Sequence, residues 1–192
     1  MKLWLLRHAK VMVESGLCYG ASDLVCDPVA TEAAAQAFAP QPSAQSVIWT
    51  SSSQRAIQLA EAIRAQRPDL QGPCMDERLC EMNFGVWEMT PWSEIPRHEY
   101  DVWVQDFADY RFGGRESTQE VIHRVSEALD DARKSGHQEM VWVTHAGVIK
   151  AVQYLLSPAS KKMKLMADAW PADSVELGGW VGIKIPRPDH EQ

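Results

Sequence analysis

Two histidines and two arginines in this sequence follow short apolar runs, and together they could bind and transfer a phosphate group. Arg7 and His8 come directly after one run, His145 comes directly after another, and Arg55 follows a third at a distance of five residues. Arginine guanidinium groups grip phosphate oxygens in pairs, and a neutral imidazole is able to attack phosphorus. If the four side chains converge, they form a pocket for a dianion that contains its own nucleophile.

Each of these residues taken singly also fits a plainer interpretation. Arg7 could end a strand as a charged residue, His8 could be a structural histidine in a loop, and Arg55 could be a solvated surface arginine. A cation in the first turn of a helix, where Arg55 is predicted to lie, is not favoured by the helix dipole unless an anion binds nearby. The set is therefore more informative than any one of its members.

The apolar runs are too short to be helices with their own caps, and they are predicted to be strands of a parallel sheet, buried on both faces. They span Leu3–Leu6, Ser46–Thr50 and Met140–Thr144. Functional residues gather at the carboxyl ends of such strands, so the four basic residues are expected at one edge of the sheet. Because neighbours on a regular strand face opposite ways, Arg7 and His8 share a pocket only if their strand has ended there.

Helical patterns between and after the strands complete the predicted fold. Thr31–Phe38 is predicted to be a short helix with its first residue as candidate cap, and Ser117–Lys134 is a helix that begins with a capping box. Gln66–Asp76 is interpreted as a connection, and Val175–Ile185 as one or two terminal strands. The predicted fold class is α/β, a three-layer sandwich with a mostly parallel central sheet and helices on both faces.

Residues 1–186 are predicted to form a single domain, followed by a flexible tail at 187–192, and residues 89–112 are interpreted as an aromatic-rich excursion or lid. An amphipathic helix has apolar side chains at positions i, i+3, i+4 and i+7. This spacing is followed by Tyr100, Trp103, Val104 and Phe107. This stripe could pack in the core or form the rim of a ligand site.

Two glutamates, Glu81 and Glu88, are candidate proton donors because they flank Phe84 and Trp87. A carboxyl group beside aromatic rings is partly desolvated, which raises its pKa and suits it to donate a proton. The alternative for each is an exposed glutamate in a loop.

Composition restricts the class of protein and its partners. The chain has 192 residues with a net charge of −7, which argues against nucleic acid or an anionic membrane as the main partner. No segment approaches the roughly 20 apolar residues that span a bilayer.

The cysteines form no Cys-x-x-Cys pair, so we predict no metal site and a reduced, cytoplasmic setting. Lys161, Lys162 and Lys164 are interpreted as a solvated basic face, and the oligomeric state stays open, with a dimer as one option.

Four stretches of the sequence, in this order, resemble the motifs of the histidine phosphatase superfamily, also called the phosphoglycerate mutase-like family. The resemblance spans roughly residues 1 to 155 and rests on Leu6-Arg7-His8-Ala9, Thr50-Ser51-Ser52-Ser53-Gln54-Arg55-Ala56, Glu81 with Phe84-Gly85-Val86-Trp87-Glu88, and Val143-Thr144-His145-Ala146-Gly147. Within the superfamily, Cys18-Tyr19-Gly20 with Asp23 is most similar to the alpha-ribazole phosphatase branch, which is associated with cobalamin assembly.

The resemblance implies a metal-independent phosphomonoesterase with no cofactor and a small phosphorylated substrate. By this resemblance His8 is the nucleophile and forms a phosphohistidine, while Arg7, Arg55 and His145 hold the phosphate oxygens. Glu81 matches the proton donor that protonates the departing alcohol and then activates water. The arginines and histidines take the part that magnesium plays in other phosphoryl-transfer enzymes.

The departures from the family pattern leave the substrate open. Ala9 stands where glycine is usual, Ser52 replaces a common proline, Arg115 interrupts a Gly-Gly-Glu-Ser motif before Glu116, and Glu14 stands near an asparagine that mutases use. The last departure argues against phosphoglycerate mutase. The resemblance implies alpha-ribazole 5′-phosphate as substrate, with another small phosphate ester or a protein phosphohistidine as alternatives. The alternative from another class is a non-catalytic phosphate-binding regulator, which would not need a proton donor such as Glu81.

Overall fold

The central feature of the computed structural model, which describes residues 1–161 and 165–186, is a five-stranded sheet. Its strands are β1 (Lys2–Arg7), β2 (Val47–Thr50), β3 (Gln71–Met75), β4 (Glu139–Thr144) and β5 (Trp180–Lys184). They lie in the order β3-β2-β4-β1-β5, with β1 to β4 parallel and β5 antiparallel to β1. The α/β fold with a mostly parallel sheet that the sequence predicts is confirmed.

Helices cover both faces of this sheet. The α-helices among the described residues are α1 (Pro28–Phe38), α2 (Gln54–Gln66), α3 (Arg97–Gln105), α4 (Thr118–Lys134) and α5 (Ala146–Leu156), of which α1 and α2 pack on one face of the sheet and α4 and α5 on the other. Leu3 and Leu5 of β1 pack in an apolar cluster with α4 and α5, whereas Leu6 packs with α1 and α2. Successive side chains of a strand point to opposite faces, so this continuous apolar run holds the two helical layers to the sheet. Each of these fully buried leucines stabilises the fold by about 2 kcal/mol.

Local structure differs from the sequence predictions in two places. Gln66–Asp76 is not only a connection, because its second half forms the edge strand β3, whose side chains are mostly exposed and carry no apolar period. Helix α1 begins at Pro28 rather than Thr31, because the Asp27 carboxylate caps it by accepting hydrogen bonds from two backbone N–H groups. Val175–Ile185 contributes one strand, β5, which agrees with the first of the two predicted alternatives.

The predicted capping box of α4 is confirmed. The Ser117 hydroxyl accepts from the Glu120 N–H at 3.2 Å, and the Glu120 carboxylate accepts from the Ser117 N–H at 2.8 Å. These two bonds satisfy backbone donors that the first turn of a helix leaves without partners. They fix the start of the helix that covers one side of the sheet.

The aromatic excursion at 89–112 contains α3 and a cluster of rings around the fully buried Phe112. Tyr100 and Trp103 contact Phe112 with ring centroids 5.4 and 4.5 Å away. Val104, by contrast, is exposed, so the predicted stripe is buried only in part. Most of these aromatic rings therefore pack against one another beside the edge of the sheet where β1 and β4 end.

No helix in residues 1–161 and 165–186 is long and apolar enough to cross a membrane. Lys162 and Lys164 of the predicted basic face, and the predicted tail at 187–192, lie outside the described residues.

Candidate active site

The predicted phosphate-site residues come together at the carboxyl edge of β1, β2 and β4. A cavity of about 460 Å³, called the catalytic cavity below, is lined by Arg7, His8, Arg55 and Glu81. The rings of His8 and His145 lie 5.2 Å apart, centroid to centroid. Strand β1 ends at Arg7, so His8 lies just beyond the regular strand and shares the cavity with its neighbour.

His8 is held as a neutral imidazole. Its ring is 2% exposed, and Nδ1 lies 2.8 Å from the Ala9 carbonyl oxygen. Since a carbonyl oxygen only accepts, Nδ1 carries the proton and Nε2 keeps its lone pair. Burial, together with the charges of Arg55 and Arg7, lowers the pKa of His8 from 6.5 to about 3, against the opposing effect of the Ala9 hydrogen bond. An imidazole in this state is a competent nucleophile at neutral pH.

His145 is fully buried at the N-cap of α5, and its ring nitrogens are engaged by neighbouring side chains. Its Nε2 lies 2.8 Å from the Ser51 hydroxyl and 3.1 Å from the Ser53 hydroxyl. Its Nδ1 accepts a hydrogen bond from Arg55 Nε at 3.3 Å, which requires an unprotonated Nδ1. Burial, then the positive charge of Arg55, lowers the pKa of His145 well below 6.5. A neutral His145 therefore orients the Arg55 guanidinium in this structure.

Arg55 is fully buried, so the interpretation of it as a solvated surface arginine is wrong. Besides its bond to His145, the guanidinium donates to the carbonyl oxygens of Gly20 and Ser22 in the preceding loop. These contacts use three of its five N–H groups and leave two for another acceptor. Burial lowers the pKa of Arg55, and the nearby Glu81 carboxylate opposes that effect. The loop that contains Gly20 and Ser22 is thus bound directly to this arginine, which the sequence predicts to hold phosphate.

Arg7 offers a second set of donors to the same cavity. Its Nη1 donates to the Val175 carbonyl oxygen at 2.9 Å, which fixes the direction of the guanidinium. Its Nε is buried and has no hydrogen-bond partner among the residues that the structure describes. A buried N–H without an acceptor costs about 1–3 kcal/mol. An anion oxygen in the cavity is the kind of acceptor that this donor lacks.

Glu81 is anchored at the N-terminus of α5. One carboxylate oxygen accepts from the Met82 N–H and the other from the Gly147 N–H, both at 3.0 Å. A Cβ atom at position 147 would collide with the Glu81 carboxylate, so only glycine allows this approach. The Gly147 backbone therefore places the candidate proton donor beside the cavity that holds His8.

Comparison with protein families shows to which family the chain belongs. The family model described as histidine phosphatase superfamily (branch 1) matches residues 3–167, which include His8, Arg55, Glu81 and His145. The chain belongs to the histidine phosphatase superfamily. Membership makes it an enzyme of the phosphatase type, in agreement with the resemblance of the sequence motifs.

The relatives of this histidine phosphatase are named for different substrates. "Putative phosphoserine phosphatase 2" of Hydrogenobacter thermophilus is 31% identical over 166 residues, covering 81% of this chain and 78% of the relative. A mycobacterial glucosyl-3-phosphoglycerate phosphatase has a similar structure, with 20% identity, a TM-score of 0.77, and coverage of 94% and 88% of the two chains. The alpha-ribazole phosphatase of Shigella flexneri is similar at 24% identity and a TM-score of 0.76, with 97% and 91% covered. At these identities the two structural matches show the fold alone.

Glu88 is not a proton donor in this histidine phosphatase fold, and the prediction of a raised pKa for it is wrong. Its carboxylate accepts hydrogen bonds from the backbone N–H groups of Gly20, Ala21, Ser22 and Phe84, and from the Ser22 hydroxyl. These bonds outweigh the effect of burial and lower its pKa. Glu88 instead ties down the same loop that binds Arg55.

Three site residues of the histidine phosphatase were not identified as such from the sequence. Ser51 and Ser53 are two of them: both hydroxyls contact His145, and the Ser53 side chain makes no hydrogen bond that caps α2. The Asp23 carboxylate accepts from the Gln54 N–H at the start of α2 instead. Gly147, the third, is recognisable in retrospect because glycine in the first turn of a helix signals a close approach.

Replacement of Gly147 by alanine should displace the Glu81 carboxylate without removing the phosphate-site arginines. We expect kcat for an alkyl phosphate to fall about 10- to 100-fold, because misplaced general acids lose most of their contribution, while inhibition by inorganic phosphate changes less than threefold. Steady-state kinetics with phosphate as product inhibitor measure both quantities. An equal loss in kcat and in phosphate affinity would contradict the positioning role.

The buried neutral histidines of this histidine phosphatase should make its stability depend on pH. The unfolded chain protonates His8 below pH 6.5, whereas the folded chain keeps it neutral down to about pH 3, so the unfolded state binds more protons and stability falls as pH falls through that window. We expect His8 alone to lower the free energy of unfolding by about 2 kcal/mol between pH 7 and pH 5. Urea unfolding of the wild type and of His8→Gln at both pH values measures this contribution of His8 to the free energy of unfolding. Equal pH dependence of the two proteins would contradict it.

Proposed function

We propose that this chain is a metal-independent phosphomonoesterase that works through a phosphohistidine on His8. The observation that carries the proposal is the state of His8 itself. It is buried and neutral, with Nδ1 fixed on the Ala9 carbonyl, and it shares a cavity with Arg7 and Arg55. A nucleophile with a free lone pair beside two cations is suited to attack a phosphate dianion.

In the first half of the proposed reaction, His8 Nε2 attacks phosphorus and the bond from phosphorus to the alcohol oxygen breaks. Glu81 gives its proton to that oxygen, so the leaving group departs as a neutral alcohol. Arg7 and Arg55 stabilise the charge on the equatorial oxygens. His145 orients Arg55 through Nδ1, and a direct contact between His145 and a phosphate oxygen requires Nε2 to leave its serine partners.

In the second half, Glu81 is an anion and accepts a proton from water as the water attacks phosphorus. The bond from phosphorus to His8 Nε2 then breaks, inorganic phosphate is released, and the imidazole is again neutral. The Met82 and Gly147 N–H groups hold the Glu81 carboxyl group in the same place in both halves. A protein that only binds phosphate would have no use for this arrangement.

Among substrates, we propose alpha-ribazole 5′-phosphate first, on the resemblance of the loop Cys18-Tyr19-Gly20 with Asp23. This loop contacts the site, because Gly20 binds Arg55 and Asp23 caps the helix that carries it. Phosphoserine is the second candidate, since a relative at 31% identity carries that name. Comparison of kcat/KM for the two esters would rank them.

The proposed chemistry is tested by hydrolysis of p-nitrophenyl phosphate in excess EDTA. Full activity after dialysis against the chelator is the expected result, because the proposed mechanism uses only side chains of this chain. Loss of activity that returns on addition of Mg²⁺ or Mn²⁺ would contradict the metal-independent mechanism.

A further inference from the structure

A second cavity adjoins Glu81 and has a different chemical character. This cavity, which we call the aromatic cavity, has a volume of about 360 Å³, within the range of small-molecule sites. Its apolar walls are formed by Met82, Phe84, Trp103, Phe107, Val121 and Trp170. Its charged lining residues, within the described part of the chain, are Glu81 and Lys150.

The aromatic cavity and the catalytic cavity share three of their described lining residues. Glu81, Phe84 and Ala146 line both. A general acid must lie within hydrogen-bond distance of the leaving oxygen, so the carbon skeleton of the leaving group begins next to Glu81. The aromatic cavity is therefore within reach of a group attached to that oxygen.

A third cavity also touches Glu81 but suits an anionic ester less well. It shares only Glu81 with the catalytic cavity among the described residues, and Asp23, Glu77 and Glu116 line it as well. One of its two arginines, Arg124, is already paired with Glu116 at 2.7 Å. Its excess of carboxylates repels a phosphate ester, so the aromatic cavity is the better place for the leaving group.

The walls of the aromatic cavity are suited to a flat ring. Trp103 and Phe107 stack with centroids 5.7 Å apart, and Trp170 meets Phe107 edge to face at 5.7 Å. Trp103 Nε1 already donates to the Thr118 hydroxyl at 3.4 Å. Lys150 Nζ donates to the Ala172 carbonyl and keeps two N–H groups for an acceptor. The cavity thus combines aromatic faces with one cation.

We propose that the aromatic cavity binds the leaving group of the substrate, and that this leaving group carries a flat aromatic ring with an acceptor or anionic substituent directed to Lys150. The proposal rests on the phosphatase function proposed above and narrows its substrates to phosphate esters of alcohols that bear such a ring. Phosphoserine, whose leaving group is small and zwitterionic, would leave the aromatic walls uncovered.

The first test compares benzyl phosphate with ethyl phosphate, whose leaving alcohols have similar acidity. We expect the wild type to prefer benzyl phosphate in kcat/KM by at least about tenfold, the factor that corresponds to burial of a phenyl ring. Trp170→Leu should lower this ratio at least fivefold. Trp180→Leu is the matched control, because Trp180 packs on Phe38 in the other helical layer and should leave the ratio unchanged.

A second test uses Lys150, which is half-buried and lies outside the apolar core clusters, so that a substitution leaves the core intact. Addition of a 4-carboxylate to benzyl phosphate should raise kcat/KM several-fold in the wild type, and Lys150→Met should abolish that gain. Failure to hydrolyse any of the esters would overturn the phosphatase proposal itself. Trp92 lines the catalytic cavity and not the aromatic cavity. Hydrolysis of benzyl and ethyl phosphate with equal kcat/KM, or a fall of the ratio in Trp92→Leu instead of Trp170→Leu, would overturn only the assignment of the aromatic cavity.

Discussion

Replacement of His8 by alanine is expected to reduce kcat for p-nitrophenyl phosphate by about 10⁴-fold or more, because it removes the group proposed to form the covalent intermediate. The arginines remain, so the variant should still bind inorganic phosphate. Its affinity should stay within a few-fold of that of the wild type, since the Arg7 and Arg55 side chains are fixed by bonds to the Val175, Gly20 and Ser22 carbonyl oxygens.

Steady-state kinetics and calorimetric titration with phosphate separate these two effects. His123→Ala is a matched control, because His123 lies on the solvent face of α4 with its side chain 73% exposed, and it should retain full activity. A loss of less than tenfold in His8→Ala would rule out His8 as the nucleophile. A large loss accompanied by loss of phosphate binding would point to a damaged site instead.

Replacement of Glu81 by glutamine is expected to have an effect that depends on the leaving group. For ethyl phosphate, which needs a proton on its departing oxygen, kcat/KM should fall about 10³-fold. For p-nitrophenyl phosphate, which leaves as a stable anion, the first step should slow less than about tenfold. The second step also needs Glu81, so the variant should release a burst of one p-nitrophenol per chain and then turn over slowly.

Stopped-flow absorbance with the two esters measures the burst and the slow phase. Glu127→Gln, a substitution of an exposed glutamate on α4, serves as the control and should show neither effect. Equal losses for both esters would contradict the assignment of Glu81 as the acid.

The sequence predicts the part of the site that depends on strands and their ends. Because β1 and β4 are buried on both faces, their apolar runs are unambiguous, and the residues that follow them must lie at one edge. The start of α4 is equally predictable from the sequence, since a capping box uses residues at a fixed spacing. The sequence alone therefore predicts that His8 and His145 lie close together.

What the sequence does not predict depends on contacts between distant segments. Arg55 is buried and Glu88 half-buried because carbonyl oxygens and N–H groups of the loop at 18–23 satisfy them, and these partners lie more than 30 residues away. Local patterns cannot show which of two glutamates beside aromatic rings receives such bonds. Strand β3 was missed for a related reason, as an exposed edge strand needs no apolar alternation.

The most direct test of the central claim is to trap the phosphorylated enzyme. The wild type is mixed with p-nitrophenyl phosphate, quenched in alkali within milliseconds, digested, and examined by mass spectrometry. We predict a phosphoryl group on the peptide that contains His8, stable in alkali and lost in acid as expected for a phosphohistidine, and absent in His8→Ala. A phosphoryl group on another residue such as Ser51, or unmodified enzyme during a measured burst of p-nitrophenol, would contradict the mechanism.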